Sequence, residues 1–147
     1  MYAYWTPMER LGVSAEFIYD HYESVKGIAT ADDNLPEDVN TVSLPVAVRY
    51  FSPSGFFAGI GGTYVDQNVK RSLTATQADG DENFFLVDAQ VGYRLPKRRG
   101  IISLAAKNLL DEEFNYQDDS YREFRDEPAT GPYFPEMTIL GQITLSF

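Results

Sequence analysis

Met137-Thr-Ile-Leu-Gly-Gln-Ile-Thr-Leu-Ser-Phe147 is the stretch that decides the fold. Met137, Ile139, Gly141, Ile143, Leu145 and Phe147 alternate with Glu136, Thr138, Leu140, Gln142, Thr144 and Ser146. A period of two sends the two sets to opposite sides of an extended chain, so the stretch predicts a β-strand with one apolar face. The same period recurs upstream. Ile102, Leu104 and Ala106 mark one strand, and Phe85, Val87, Ala89, Val91, Tyr93 and Leu95 another. Phe56, Ala58, Ile60, Gly62 and Tyr64 mark a third, and Val42, Leu44, Val46, Val48 and Tyr50 a fourth. Leu11, Val13, Ala15, Phe17, Tyr19 and His21 mark a fifth. With Tyr2–Thr6 the chain holds about seven strands, and no run carries the i, i+3, i+4 spacing of an amphipathic helix.

The connections alternate in length. Pro7–Arg10, Ser52–Gly55 and Pro96–Gly100 are short, whereas Lys26–Asn40, Asn68–Asn83 and Asn108–Pro135 are long. Short and long in strict alternation predicts an up-and-down antiparallel meander with all its tight turns at one end. A soluble meander usually has short hairpins at both ends. A membrane barrel has short turns on one side and long loops on the other.

Composition excludes several functions. The 147 residues carry a net charge of -10, and a pI near 4.4 offers no basic stripe for nucleic acid. With no cysteine there is no disulfide framework, thiolate metal site or thiol nucleophile. His21 is the single histidine, so no multi-histidine metal centre exists, and no metal or cofactor is expected. No apolar run is long enough for a transmembrane helix, which leaves transmembrane strands open. No enzyme is expected. Ser14, Asp20, His21 and Ser24 are the nearest to a catalytic collection, but Asp20 and His21 are neighbours on opposite strand faces. Asp79-Gly-Asp-Glu-Asn83 lacks the spacing of a calcium loop and reads as a solvated turn. Gly59-Ile-Gly-Gly62 reads as relief of crowding in a curved strand.

Charge and aromatic residues both sort by position. The three long connections, with Glu136 counted in the last, together hold a net charge of -11, which leaves +1 for the strands and short turns. Glu16, Asp20, Arg49, Gln67, Asp88, Arg94, Lys107 and Gln142 fall on the polar strand faces. Tyr50, Phe51, Phe56, Phe57, Tyr93 and Phe147 lie beside the short-turn end. Tyr19, Tyr22, Tyr64, Phe84, Phe85, Tyr133 and Phe134 lie beside the long-loop end. Two aromatic rows about one strand-length apart match the interfacial girdles of a bilayer barrel. A soluble lipocalin-like ligand-binding barrel, with the apolar faces turned inward, is the alternative that periodicity leaves open.

Four pieces carry a family resemblance. Val87-Asp-Ala-Gln-Val-Gly-Tyr-Arg-Leu-Pro96 is followed by Ile102-Ser-Leu-Ala-Ala-Lys-Asn-Leu-Leu-Asp-Glu-Glu-Phe114. Pro135-Glu-Met-Thr138 then leads into Ile143-Thr-Leu-Ser-Phe147. Together they resemble the end of a TonB-dependent outer-membrane receptor: a strand running into its periplasmic turn, an Asn-Leu-Phe-Asp-x-x-Tyr strand ending, a Pro-Gly-Arg-Thr entry and a terminal strand closed by Phe. Leu110 and Phe114 replace the family's usual residues, and Glu136-Met137 replace Gly-Arg.

The resemblance implies a segment of a transmembrane β-barrel in the outer membrane of a Gram-negative bacterium, with short periplasmic turns and long extracellular loops. Residues 1–147 would be its C-terminal part, without the plug domain and the N-terminal strands. The implied function is uptake of a nutrient such as a metal chelate or a glycan. A plugless export or adhesion barrel is the alternative within the outer membrane. The implied partners are outer-membrane lipid, a small-molecule ligand, TonB through a plug, and the barrel-assembly machinery through Ile143, Leu145 and Phe147. Tyr116, Asp118, Asp119, Tyr121, Phe124 and Tyr133 of the longest loop are the ligand candidates. Asn108 and Asp111 are expected to shape the strand-to-loop turn through bonds to backbone.

Overall fold

The chain was analysed as a computed structural model, which describes residues 1–23, 36–71, 80–114 and 136–146. Among these residues the protein is all-β. The strands are β1 (Tyr2–Met8), β2 (Leu11–Glu16), β3 (Ile18–Glu23) and β4 (Pro36–Phe51), then β5 (Phe56–Arg71), β6 (Gly80–Arg94), β7 (Gly100–Lys107) and β8 (Thr138–Leu145). They form one open antiparallel sheet in which β4 separates β2 and β3 from β5, and β5 to β8 follow in sequence order.

β2 and β3 lie end to end along β4 in one unbroken register, so the eight strands make seven staves, as the sequence predicts. The break at Phe17 has a local cause. The register places Pro45 opposite Glu16, and proline has no N–H for the ladder. On its other side the ladder is intact: the Phe17 N–H bonds the Met1 carbonyl at 2.8 Å, in register with the β1–β2 pairing. An odd number of alternating staves leaves both edge strands, β1 and β8, running in the same direction.

The tight turns share one end of the sheet. In Ser52–Gly55 the Gly55 N–H bonds the Ser52 carbonyl at 3.0 Å, and Gly55 takes φ +99°, which disfavours any side chain. Between β6 and β7 a 3-10 turn spans Pro96–Arg98, and the Leu95 N–H closes it on the Gly100 carbonyl at 2.8 Å.

Three strands are longer than the alternation of apolar residues predicts. β4 starts at Pro36, β5 runs to Arg71 and β6 starts at Gly80. Asp38–Asn40, Asn68–Arg71 and Gly80–Asn83 were expected in connections and are strand residues. Asp81 pairs with Asn68 and Asn83 with Asp66, so Gly80–Asn83 is not a turn. A strand need not keep one apolar face along its whole length, and here the polarity of the faces changes partway.

Little is buried. Val39, Val65, Val69, Phe84 and Phe114 are the buried apolar residues among those described, against thirty exposed large ones. The five lie toward the loop end, where Val65, Phe84 and Phe114 pack together with Leu86.

Candidate functional site

Cross-strand partners in an antiparallel pair point to the same side, so the registers assign every side chain to a face. One face collects Val13, Val48, Ile60, Ala89 and Ala106 across five staves, with Ile139 of β8 completing the row. It is apolar from edge to edge and bare: Ile60 is 57% exposed, Leu104 50% and Ile143 68%. A water-soluble sheet would cover such a face, since monomers rarely leave apolar patches of this extent uncovered.

The other face carries the polar residues. The registers put Glu16, Asp20, Arg49, Gln67, Asp88, Arg94, Lys107 and Gln142 together on it, as predicted. Between the charges the floor is small. Ala47, Gly59, Gly61 and Ala105 line a shallow hollow with Arg49, Asp88, Gln90 and Lys107 at its rim. Such a surface can be wetted and can hydrogen-bond a polar solute.

Three neighbouring rings roof glycines in the sheet. The Tyr4 hydroxyl lies over Gly12, the Phe85 ring over Gly62 and the Phe57 ring over Gly92. A methyl group at Gly62 would sit 2.7 Å from the Phe85 ring. Crowding relief, expected for the glycines of β5, therefore takes a specific form at Gly62: it is the seat of a ring from the next strand.

The aromatic rows are partly as expected. Tyr50, Phe56 and Tyr93 share the apolar face near the turn end, and Tyr19, Tyr64 and Phe85 share it nearer the loop end. Phe51, Phe57, Tyr22 and Phe84 instead fall in the opposite phase. Phe57 covers Gly92, and Phe84 is buried. Adjacent aromatic residues such as Phe84-Phe85 cannot share a face of a strand. Tyr133, Phe134 and Phe147 lie outside the described residues.

The base of the longest loop is built by Asn108–Phe114. Asn108 stands at φ 50° and brackets Glu112: its Oδ1 accepts the Glu112 N–H at 3.0 Å and its Nδ2 donates to the Glu112 carbonyl at 2.9 Å. Its own N–H bonds Asp88 Oδ1 at 3.0 Å, and the Leu109 N–H bonds the Val87 carbonyl at 2.8 Å. Asp111, at φ 52°, accepts the Met137 N–H at 2.8 Å and so ties the far end of the loop to its start. The turn-shaping role expected of Asn108 and Asp111 is the geometry found. Phe114 then stacks on Phe84, with centroids 4.2 Å apart. No local pattern signals that contact or Asp88 as the partner of Asn108, because both join residues 20 or more positions apart.

Asp20 and His21 face opposite sides of β3, and Ser24 lies outside the described residues. Tyr19 donates to Asn40 Oδ1 at 2.9 Å, His21 Nδ1 lies 2.8 Å from the same oxygen, and Asn40 donates to Asp38 at 2.5 Å. No cluster of three or more metal-ligating side chains occurs among the described residues. No helix among them is long and apolar enough to cross a membrane. The ligand candidates Tyr116, Asp118, Asp119, Tyr121, Phe124 and Tyr133 lie outside the described residues. Of the assembly candidates, Ile143 and Leu145 are exposed on the apolar face of β8, and Phe147 lies outside the described residues. No protein-family model, curated protein or solved structure matches the chain.

Proposed function

We propose that the chain is the C-terminal barrel segment of a TonB-dependent receptor in a Gram-negative outer membrane. The receptor takes up a nutrient such as a metal chelate or a glycan. The observation that carries this is the bare apolar face spanning all seven staves, opposite a face of charged and small residues. Lipid on one side and water on the other is the environment that such a sheet satisfies. The resemblance of residues 84–147 to the end of such receptors supplies the family. An isolated lipocalin-like barrel would turn the apolar face inward and bury it.

An antiparallel barrel has an even number of staves. Seven staves are therefore completed by an odd number of others, the first of them antiparallel to β1. The polar face then lines the lumen, the tight turns lie at the periplasm, and the opposite ends of the strands rim the outer mouth. Ile143 and Leu145 present the last strand to the assembly machinery.

Fractionation tests this. The intact protein is expected in detergent-extracted outer membranes, migrating faster on gels when unheated than after boiling. Recovery as a monomer from detergent-free supernatant would overturn the proposal.

A further inference from the structure

The two faces exchange character partway up the sheet. At one level the registers align Leu44, Tyr64 and Phe85 on the apolar face. Toward the turn end that face stays apolar, with Val46, Ile60 and Val91 exposed. Toward the loop end the same face carries Asn40, Asn68 and Asp81 in strands β4, β5 and β6. The opposite face changes in the reverse sense. Ala47, Gly61 and Asp88 give way to Val65, Val69 and Phe84, all buried, with Val69 at 0% exposure against 57% for Ile60.

No bulge causes the exchange. Pairing between β4 and β5 is continuous from Asp38 to Phe51, and pairing between β5 and β6 from Phe56 to Val69. The backbone keeps its phase while the chemistry inverts, in three adjacent strands at one level. Below that level the sheet is made for lipid outside. Above it the exterior is polar, and the interior face buries Val39, Val65, Val69 and Phe84 beside Thr41 and Gln67, closer to the pattern of a water-soluble sheet.

We infer that the row Leu44, Tyr64 and Phe85 is the upper limit of lipid contact, and that the sheet beyond it stands in water as a rampart around the mouth. This rests on the membrane proposal above and adds its boundary. The lipid-contact surface runs from Phe56 to Tyr64 along β5, eight residue steps or about 26 Å at roughly 3.3 Å each, which a strand tilt of about 40° lowers to about 20 Å, of the order of the ~25 Å apolar band of such barrels. The rampart continues from Tyr64 to Arg71, seven residue steps or about 23 Å along the strand. Its outer polar groups are satisfied by one another: Tyr19 and His21 meet Asn40, Asn40 meets Asp38, and Asn68 meets Asp81. Carboxylates at this position would be costly against acyl chains, and beside water they are not.

The chain has no cysteine, so a single introduced thiol gives a unique label. Ile60→Cys, Leu104→Cys, Asn68→Cys and Lys70→Cys are labelled with a fluorophore in the intact protein, reconstituted in phosphatidylcholine vesicles. Two sites below the row and two above guard against one variant failing to fold. Acyl-chain-brominated lipid is expected to quench most of the emission at positions 60 and 104 and little at 68 and 70, with aqueous iodide giving the reverse. Equal quenching by brominated lipid at all four would overturn the boundary while leaving the membrane proposal intact. Iodide quenching without lipid quenching at 60 and 104 would overturn both.

Discussion

Phe84 of β6 and Phe114 at the start of the longest loop lie ring on ring, with centroids 4.2 Å apart and planes 19° from parallel. Both are buried, although their neighbours Asn83, Phe85 and Glu113 are exposed. The pair holds the base of the loop against the sheet. A double-mutant cycle with Phe84→Ala and Phe114→Ala should return a coupling of about 0.5–1.5 kcal/mol in denaturant unfolding. Additive losses would show that the rings do not act as a pair.

Asn108 holds both backbone groups of Glu112 from a left-handed conformation that asparagine tolerates better than most residues. Asn108→Ala removes both bonds and leaves a methyl group in that conformation. A loss of about 1–3 kcal/mol is expected, with faster hydrogen exchange at the Glu112 amide. Asn108→Asp keeps the acceptor for that amide and should protect it better than alanine does.

Gly92 and Gly61 are both strand glycines but should respond unequally to alanine. At Gly92 a methyl group would strike the Phe57 ring and lie 2.8 Å from the Ile102 carbonyl oxygen. At Gly61 its nearest neighbours would be the Val46 carbonyl oxygen at 3.4 Å and the Ala47 methyl at 3.5 Å. Gly92→Ala should cost about 1–3 kcal/mol and Gly61→Ala close to nothing, read from unfolding midpoints.

Leu104 and Ala105 are adjacent in β7 and point to opposite faces. If the apolar face meets lipid, Leu104→Arg should cost about 2–4 kcal/mol of stability in vesicles, or abolish insertion. Ala105→Arg adds a charge to the face that already holds Lys107 and should be accepted. Equal penalties at the two positions would contradict the assignment of faces.

Assembly offers a kinetic prediction. Phe147→Ala should slow insertion in membranes that contain the assembly machinery and leave insertion into pure lipid vesicles unchanged. Slowing in both would mean that the residue serves stability rather than recognition.

The strands below the exchange level were legible because each keeps one apolar face, from Leu44 to Tyr50 and from Phe56 to Tyr64. The upper strand segments were hidden because Asp38, Asn40, Asn68 and Asp81 have loop-like chemistry and depend on neighbouring strands for their extended form. Phe84 was misplaced for a related reason. Proximity to the loop end put it among the outward aromatics, whereas its phase turns it inward. Asn108 and Asp111 were legible because capping of a turn is a local act. The stacking of Phe114 on Phe84 is not local, and only the fold brings those rings together.

Because β1 and β8 run the same way, two copies of this sheet held in one orientation can meet edge to edge only as parallel strands. Such pairing is somewhat weaker per residue than the antiparallel ladders inside the sheet. An antiparallel meeting requires one copy to be turned over, with its loops beside the other's turns. In free solution nothing forbids that inversion, and sheets could add without limit. A layer that orients every copy alike forbids it. The same odd number that sets its two edges parallel therefore makes the sheet a poor template for its own kind wherever orientation is fixed.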